Sequence, residues 1–277
     1  MDRNHVVREI VIKALKEDIG KGDITTESIF TQHHNSRGQV MAKEKGIIAG
    51  LEVARMVFSL VDPGVKLINK MPDGEEIKEV PKVVAEVEGP TRGILQGERV
   101  ALNFIQRLSG IATQTRKYVD AVKDYPVRIT DTRKTTPGLR ILEKYAVTVG
   151  GGINHRFGLY DTPMIKDNHI VAAGSIREAV KKVREKAPFT VKIEVEASSL
   201  EQVHEALEEK VDIIMLDNMS LEMIKEAVAI VNGRALVEAS GGITLKNINE
   251  VAALGVNYIS VGELTHNIKS LDISMDL

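Results

Sequence analysis

The sequence has no cysteine and no tryptophan, and aromatic residues make up only 4% of it. The lack of cysteine excludes disulfides, thiolate catalysis and cysteine-ligated zinc. It fits a reducing compartment, and a cytoplasmic location is expected. Scarce aromatics leave few platforms on which nucleic-acid bases could stack. An excess of one charge is also missing: 37 Lys and Arg against 39 Asp and Glu give a net charge of -2. Nucleic-acid binders generally carry a basic surplus, so no such partner is expected. No apolar run approaches the roughly 18 residues of a membrane span. Residues 1–20 carry charges throughout, unlike a secretory leader. No membrane partner is expected either. Phosphate-binding Gly-Lys-Ser/Thr loops, dinucleotide fingerprints and HExxH are absent as well.

What is present falls into two textures. The 277 residues suit either one barrel or two domains. In the first half, Val6, Val7, Ile10, Val11, Ala14 and Leu15 recur at helical spacing until Gly20 and Gly22 end the run. Residues 37–44, 65–70 and 83–89 read as strands. Residues 51–61 read as a helix closed by Asp62-Pro63-Gly64, and Asp73-Gly74 marks a turn. A long amphipathic helix starts near Glu98, with Ser109-Gly110 expected to kink it. The boundary between two domains is placed inside that helix.

After Pro126 short apolar runs alternate with amphipathic helices. The runs are VRITDT, TPMIKD, TVKIEVEA, VDIIMLDN, RALVEAS and NYISVG. The last four recur roughly every 22 residues, about one strand plus one helix. Such units build a parallel sheet with right-handed crossovers, and their number predicts a closed or nearly closed α/β barrel. An open doubly wound sheet is the alternative.

Active residues of such barrels sit at the carboxyl ends of the strands. Here each apolar run ends in polar residues. The basic half comprises Arg133, Lys134, Arg140, Lys144, His155, Arg156, Lys166 and His169. Arginine offers a planar fork to carboxylate or phosphate, so this cluster in a slightly acidic chain suits an anionic ligand. Ion pairing with helix carboxylates is the structural alternative. For Arg140 and Lys144, a solvent-facing position competes with a phosphate clamp.

The acidic half comprises Glu196 and Asp217 on strands expected to be neighbours. Two carboxylates there could hold Mg2+ through water, bridge to a diphosphate or bond ribose hydroxyls; helix capping is the structural alternative. Glu194 shares the face of Glu196, but the position nearer the strand end favours Glu196. Ser240-Gly241-Gly242 and Gly262-Glu263 follow the last two strands, where barrels often bind phosphate with backbone N–H groups. A lone Ser-Gly-Gly could be a simple turn, but placement in two successive terminal loops favours the phosphate reading. Lys166 at a strand end also admits a Schiff-base aldolase or lyase.

The segments EDIGKGDITTES, GERVALNFIQRLSGIAT, DTRKTTPGLRILEKYAVTVGGGINHRFGLYDTPMIKDNHI, KIEVEASSLEQV, IIMLDN, VEASGGIT and VGELTHNIKSLDISMDL, in this order, resemble the quinolinate phosphoribosyltransferase family. The resemblance spans almost the whole chain. It implies an N-terminal α/β sandwich over residues 1–108, with the tail 266–277 packing back on it. It also implies a C-terminal TIM-like α/β barrel, complete or incomplete, over residues 109–265. A homodimer with shared active sites, or a higher oligomer, is implied too, with Arg99 reaching into the neighbouring site. The implied reaction is phosphoribosyl transfer from 5-phosphoribosyl 1-diphosphate to quinolinate with loss of CO2, with Mg2+ as cofactor.

By the same resemblance, Arg133, His155, Arg156 and Lys166 bind the acid, and Lys134 lies between acid and donor. Glu196 and Asp217 contact ribose and the Mg2+-diphosphate. Ser240, Gly241, Gly242 and Gly262 form a phosphate cradle with Glu263 and His266 nearby. Lys134, Lys166, Glu196 and Asp217 are the expected catalytic set. The rival readings are a related transferase acting on nicotinate or another ring acid, the Lys166 aldolase, and a non-catalytic anion-binding relative.

Overall fold

The computed structural model describes residues 3–31 and 33–277. In chain order, helices α1 (Arg3–Ile19) and α2 (Ile24–Ile29) precede strands β1 (Asn35–Ala42) and β2 (Gly46–Ile47). Helix α3 (Leu51–Val61), strands β3 (Lys66–Asn69), β4 (Glu76–Ile77) and β5 (Lys82–Pro90), and the long helix α4 (Thr91–Ala121) follow. Strand and helix then alternate: β6 (Arg128–Thr130), α5 (Arg140–Val149), β7 (Met164–Ile165), α6 (Asp167–Ala173) and α7 (Ile176–Lys186). Next come β8 (Glu194–Ala197), α8 (Leu200–Glu208), β9 (Ile213–Asp217), α9 (Leu221–Val231) and β10 (Leu236–Ser240). Helix α10 (Ile248–Ala253), β11 (Tyr258–Ser260), α11 (Glu263–His266) and β12 (Ile273–Asp276) complete the series.

Two compact units emerge. The first runs to Arg116 and also takes Thr135–Gly151 and Leu264–Leu277; the second comprises Lys117–Lys134 and Gly152–Glu263. Helix α5 and residues 109–116, which the sequence reading gave to the barrel, thus group with the first sheet.

The first unit is built on an antiparallel sheet ordered β12-β1-β5-β3. In β1, Gly38, Val40 and Ala42 are buried while Arg37 and Gln39 are exposed, the period-two pattern of a half-buried strand. Val40 lies between Met275 of β12 and Ala85 of β5. Helix α3 buries Leu51, Ala54, Val57 and Phe58, one stripe at helical spacing. Each such large apolar side chain contributes about 1.5–3 kcal/mol on burial. Helix α4 runs unbroken through Ser109-Gly110, where the sequence predicts a kink. The pair serves close packing instead. The Ser109 hydroxyl accepts the Ala49 N–H at 2.9 Å. A Cβ on Gly110 would lie 2.3 Å from the Lys269 carbonyl oxygen.

The second unit is a parallel sheet ordered β6-β11-β10-β9-β8-β7. Strands β7 to β11 are neighbours in sequence order, yet the first strand lies beside the last. An open doubly wound sheet reverses direction at a switch point; this order is that of a ring cut once. Thr130 of β6 forms a parallel bridge to Ile153, which extends the ring on its other side. Among the described residues no ladder joins β7 to that segment, so the barrel is incomplete at this seam. Alternate residues divide the strands into two faces. Val195, Ala197, Ile214, Leu216, Val237 and Ala239 are buried apolar positions, and the residues between them carry the chemistry. Ser175, Ser199 and Ser220 start α7, α8 and α9 by accepting the N–H three residues on.

Candidate active site

A cleft of about 380 Å3 lies at the carboxyl ends of the parallel strands, a size within the ~300–1,000 Å3 typical of small-molecule sites. All six strands contribute to its wall. Arg133 follows β6, Lys166 follows β7, Glu196 comes from β8, Asp217 from β9, Ser240 from β10 and Ser260 from β11. Strand register explains the convergence. Glu196 is level with Met215, and Met215 with Glu238. Asp217 is level with Ser240, and Ser240 with Ser260. Two layers of side chains on one pleat face therefore line the cleft.

One wall is basic. Arg133, Lys134, Arg156 and Lys166 all line it. Burial, and then the neighbouring charge of Arg133, pull the Arg156 pKa below its ordinary value. Two guanidiniums that repel each other favour an anion between them. Arg156 also donates from Nη1 to the Thr162 carbonyl at 3.1 Å, which fixes its stem. Lys166 pairs through Nζ with Oε2 of Glu196 on the next strand. Lys134 is exposed, its N–H donated to the Thr132 hydroxyl at 3.0 Å.

His155 reaches the cleft because residue 153 continues the sheet. The Ile153 N–H donates to the Ile129 carbonyl at 2.9 Å, and the His155 N–H to buried Asp131 Oδ1 at 2.9 Å. The ring faces inward: Nε2 is 3.4 Å from Oε2 of Glu194 and 3.3 Å from Oε2 of Glu238. Both glutamates are buried. Burial disfavours the imidazolium, but the two carboxylates outweigh it and push the His155 pKa up to about 10. Burial also holds the Glu194 carboxyl above its usual range, with Glu238 adding to the shift and His155 opposing it.

By residue type, these three side chains could ligate a metal, their ligand atoms lying within 4.8 Å of one another. The contacts argue otherwise. His155 Nδ1 lies 2.7 Å from the Arg156 backbone nitrogen, and Nε2 faces the two carboxylates. Both ring nitrogens therefore already engage protein atoms.

The opposite end of the cleft is acidic. Asp217 Oδ2 accepts from Asn218 Nδ2 at 2.9 Å. Gly241 and Gly242 follow Ser240 with φ of +90° and +63°, a conformation glycine adopts freely. Gly262 and Glu263 follow β11 by way of Val261, but the Glu263 carboxylate is engaged elsewhere, accepting the Tyr118 hydroxyl at 2.8 Å. The bond to Tyr118 gives Glu263 a partner that the sequence did not reveal.

Several other basic residues are not among those that line this cleft. Arg99 is exposed on α4 in the first unit. Arg140 and Lys144 also group with the first unit, where Arg140 donates to the Thr135 hydroxyl at 3.0 Å. Lys144 is 1% exposed, which corrects the solvent-facing expectation. His169 is exposed, and its Nδ1 accepts the Lys166 N–H at 2.9 Å as a helix cap. Glu238 and Asn218 are cleft residues absent from the sequence-derived set. A signal for Glu238 existed: Val-Glu-Ala occurs at both 195–197 and 237–239, a carboxylate inside an apolar strand each time. Asn218 closes the segment IIMLDN, but nothing in that segment assigns it a role.

Comparison with known proteins agrees over the full chain. The model of the quinolinate phosphoribosyl transferase N-terminal domain matches residues 23–109, and that of its C-terminal domain matches residues 111–276. A probable nicotinate-nucleotide pyrophosphorylase (carboxylating) of Bacillus subtilis is 50% identical over 275 residues, spanning 99% of this chain and 94% of that protein. A protein of the same description from Methanocaldococcus jannaschii is 45% identical, spanning 97% and 96%. The crystal structure of NadC from Streptococcus pyogenes superposes with a TM-score of 0.95 at 46% identity, covering 100% of this chain and 97% of that one. This chain belongs to the quinolinate phosphoribosyl transferase family.

Proposed function

We propose that this protein transfers the phosphoribosyl group of 5-phosphoribosyl 1-diphosphate to the ring nitrogen of quinolinate, yielding nicotinate mononucleotide, diphosphate and CO2. The product makes it an enzyme of NAD biosynthesis. One observation carries the reading beyond family membership. A basic wall and an acidic end face one cleft at the carboxyl ends of the barrel strands. That layout suits a dianionic acid beside a ribose bearing phosphates.

The chemistry needs alignment more than a nucleophilic side chain. Arg133 and Arg156 neutralise the carboxylates of the acid, with Lys166 at the seam between acid and donor. His155, held on Glu194 and Glu238, backs this wall. Lys134 at the rim screens the two anions from each other. As the C–N bond forms at the anomeric carbon, the C–O bond to diphosphate breaks and its electron pair leaves with the diphosphate. Positive charge built on the ribose is stabilised by Glu196 and Asp217. The ring nitrogen, now quaternary, accepts the electron pair of the breaking C–C bond as CO2 departs, and a proton takes its place.

Two carboxylates on adjacent strands, each with one oxygen already bonded to a neighbour, suit a cation held through water rather than a cage of protein ligands. Glu196 and Asp217 are thus the residues that would hold Mg2+ with the diphosphate, and its charge would favour diphosphate departure. Ser240, Gly241, Gly242 and Gly262 contribute the phosphate side. We further propose a cytoplasmic homodimer in which Arg99 of the partner subunit completes the acid site.

Product analysis with quinolinate, 5-phosphoribosyl 1-diphosphate and Mg2+, run beside nicotinate, tests the reading. Nicotinate mononucleotide with equimolar CO2, from quinolinate alone, is expected. Product from nicotinate alone would keep the donor and replace the acid. No product from either would overturn the transferase reading.

A further inference from the structure

We infer that Asn218 is a positioning residue for the donor end of the cleft, holding the Asp217 carboxylate and the Ser240-Gly241 turn in one arrangement. This rests on the reading of Asp217 as a donor contact. Asn218 has φ of +53°, a left-handed conformation that few side chains tolerate and that asparagine tolerates better than most. It sits directly after β9 and lines the cleft beside Asp217 and Ser240.

Three contacts hold it there. Its N–H donates to the Ser240 carbonyl at 2.9 Å, extending the β9–β10 pairing by one residue beyond the strand end. Its Nδ2 donates to Asp217 Oδ2 at 2.9 Å. A carboxylate only accepts, which fixes the amide's orientation. Its Oδ1 then lies against Gly241, where an added Cβ would come within 2.2 Å of it. The two ends of the side-chain amide thus serve two cleft elements at once. Glycine would accept the φ but lacks the amide. Aspartate would bring a second carboxylate beside Asp217 and no donor.

The turn and the carboxylate are in this way set by one side chain. Fixing the Asp217 carboxylate in one rotamer before the donor arrives spares the ordering cost at binding. The Gly241 requirement follows from the same packing: its φ of +90° and the missing Cβ both serve the Asn218 amide.

The test compares wild type with Asn218→Gly, Asn218→Ala, Asn218→Asp and Gly241→Ala. Calorimetry measures binding of Mg2+ with 5-phosphoribosyl 1-diphosphate, and steady-state kinetics varies both substrates. Losing one charge-assisted hydrogen bond should weaken donor binding about tenfold in Asn218→Gly and Asn218→Ala, and further in Asn218→Asp. The KM for quinolinate should move less than about twofold, since its site is elsewhere in the cleft. Asn218→Gly should unfold within about 3 °C of wild type, which separates a positioning role from a folding defect. Gly241→Ala should weaken donor binding, and Asn218→Gly in the same chain should not weaken it further. Wild-type donor affinity in Asn218→Gly would overturn the inference, as would an equal rise in the KM of both substrates. If wild type binds the donor but does not turn over quinolinate, the acid reading fails while the affinity comparison still decides Asn218. If wild type does not bind the donor, both fall.

Discussion

Lys166 and Glu196 form an ion pair between the end of β7 and the neighbouring strand β8, Nζ against Oε2. The lysine belongs to the basic wall and the glutamate to the acidic end, so the pair joins the two halves of the cleft. Lys166 is 41% exposed, and pairs that open to water contribute at most about 1 kcal/mol. A substrate carboxylate can therefore take the lysine at little cost. Lys166→Ala should raise the KM of quinolinate at least about tenfold and, by releasing Glu196, also alter the KM of the donor. Kinetics with both substrates varied would read this; a donor KM equal to wild type would deny the pair any coupling role.

Arg133 offers the contrasting case. It lines the cleft and its charge perturbs Arg156, so in the proposed reaction both guanidiniums would address one anion. Arg133→Ala should weaken use of the acid by about tenfold or more with the donor KM unchanged. Normal kinetics would remove it from the site.

At the other end, Asp217→Asn keeps the shape of the side chain and removes its charge. The Mg2+ concentration for half-maximal rate should rise, together with the donor KM. The check is a Mg2+ titration at fixed donor; an unchanged midpoint would place the metal elsewhere.

His155 carries a pH signature. Its folded-state pKa is raised to about 10 by Glu194 and Glu238 against the effect of burial, while a free imidazole titrates near ~6.5. Below that lower value both states are protonated and the stabilisation is complete. As pH rises from there towards 10, the folded state keeps a proton that the unfolded chain has lost, so stability falls. Thermal midpoints measured across this window should fall more steeply for wild type than for His155→Asn. Equal slopes would mean that the Arg156 N–H, pointed at Nδ1, keeps the ring neutral.

The first unit holds a buried ion pair of its own. Glu143 is fully buried and accepts from Arg107 Nε at 2.9 Å, from Arg107 Nη2 at 2.6 Å and from the Thr136 N–H at 3.1 Å. Arg107→Ala would leave a buried carboxylate unpaired and should cost about 3–5 kcal/mol, read as a lower denaturation midpoint in urea. A loss under 1 kcal/mol would mean that water replaces the arginine, about what a surface pair is worth.

Much of this architecture is legible in the sequence because the second half repeats one local pattern. Apolar strands with polar ends and serine-capped helices need no long-range information, and all six expected strands form. Residues 51–61 form the expected helix for the same reason. What escaped depends on contacts distant in sequence. Ser109-Gly110 reads as a kink until Ala49 and Lys269 are seen against it. Lys144 reads as either a surface cation or a phosphate clamp because helical spacing says nothing about what covers the helix. Glu238 hides inside an apolar strand, and only register with Met215 and Glu196 brings it to the cleft. Asn218 stands in the quoted segment IIMLDN, but its contacts depend on a left-handed backbone that composition and periodicity do not encode.

The pairing of Gln39 with Asp276 and of Val40 with Met275 sets an order on synthesis. Strand β1 precedes every strand of the barrel in the chain, yet the neighbour on one of its edges follows all of them. Until then that edge offers unpaired backbone groups to any other extended chain. The nascent protein must carry this open edge through translation of the entire barrel, a period in which crowding by sister chains on one message would favour pairing between copies.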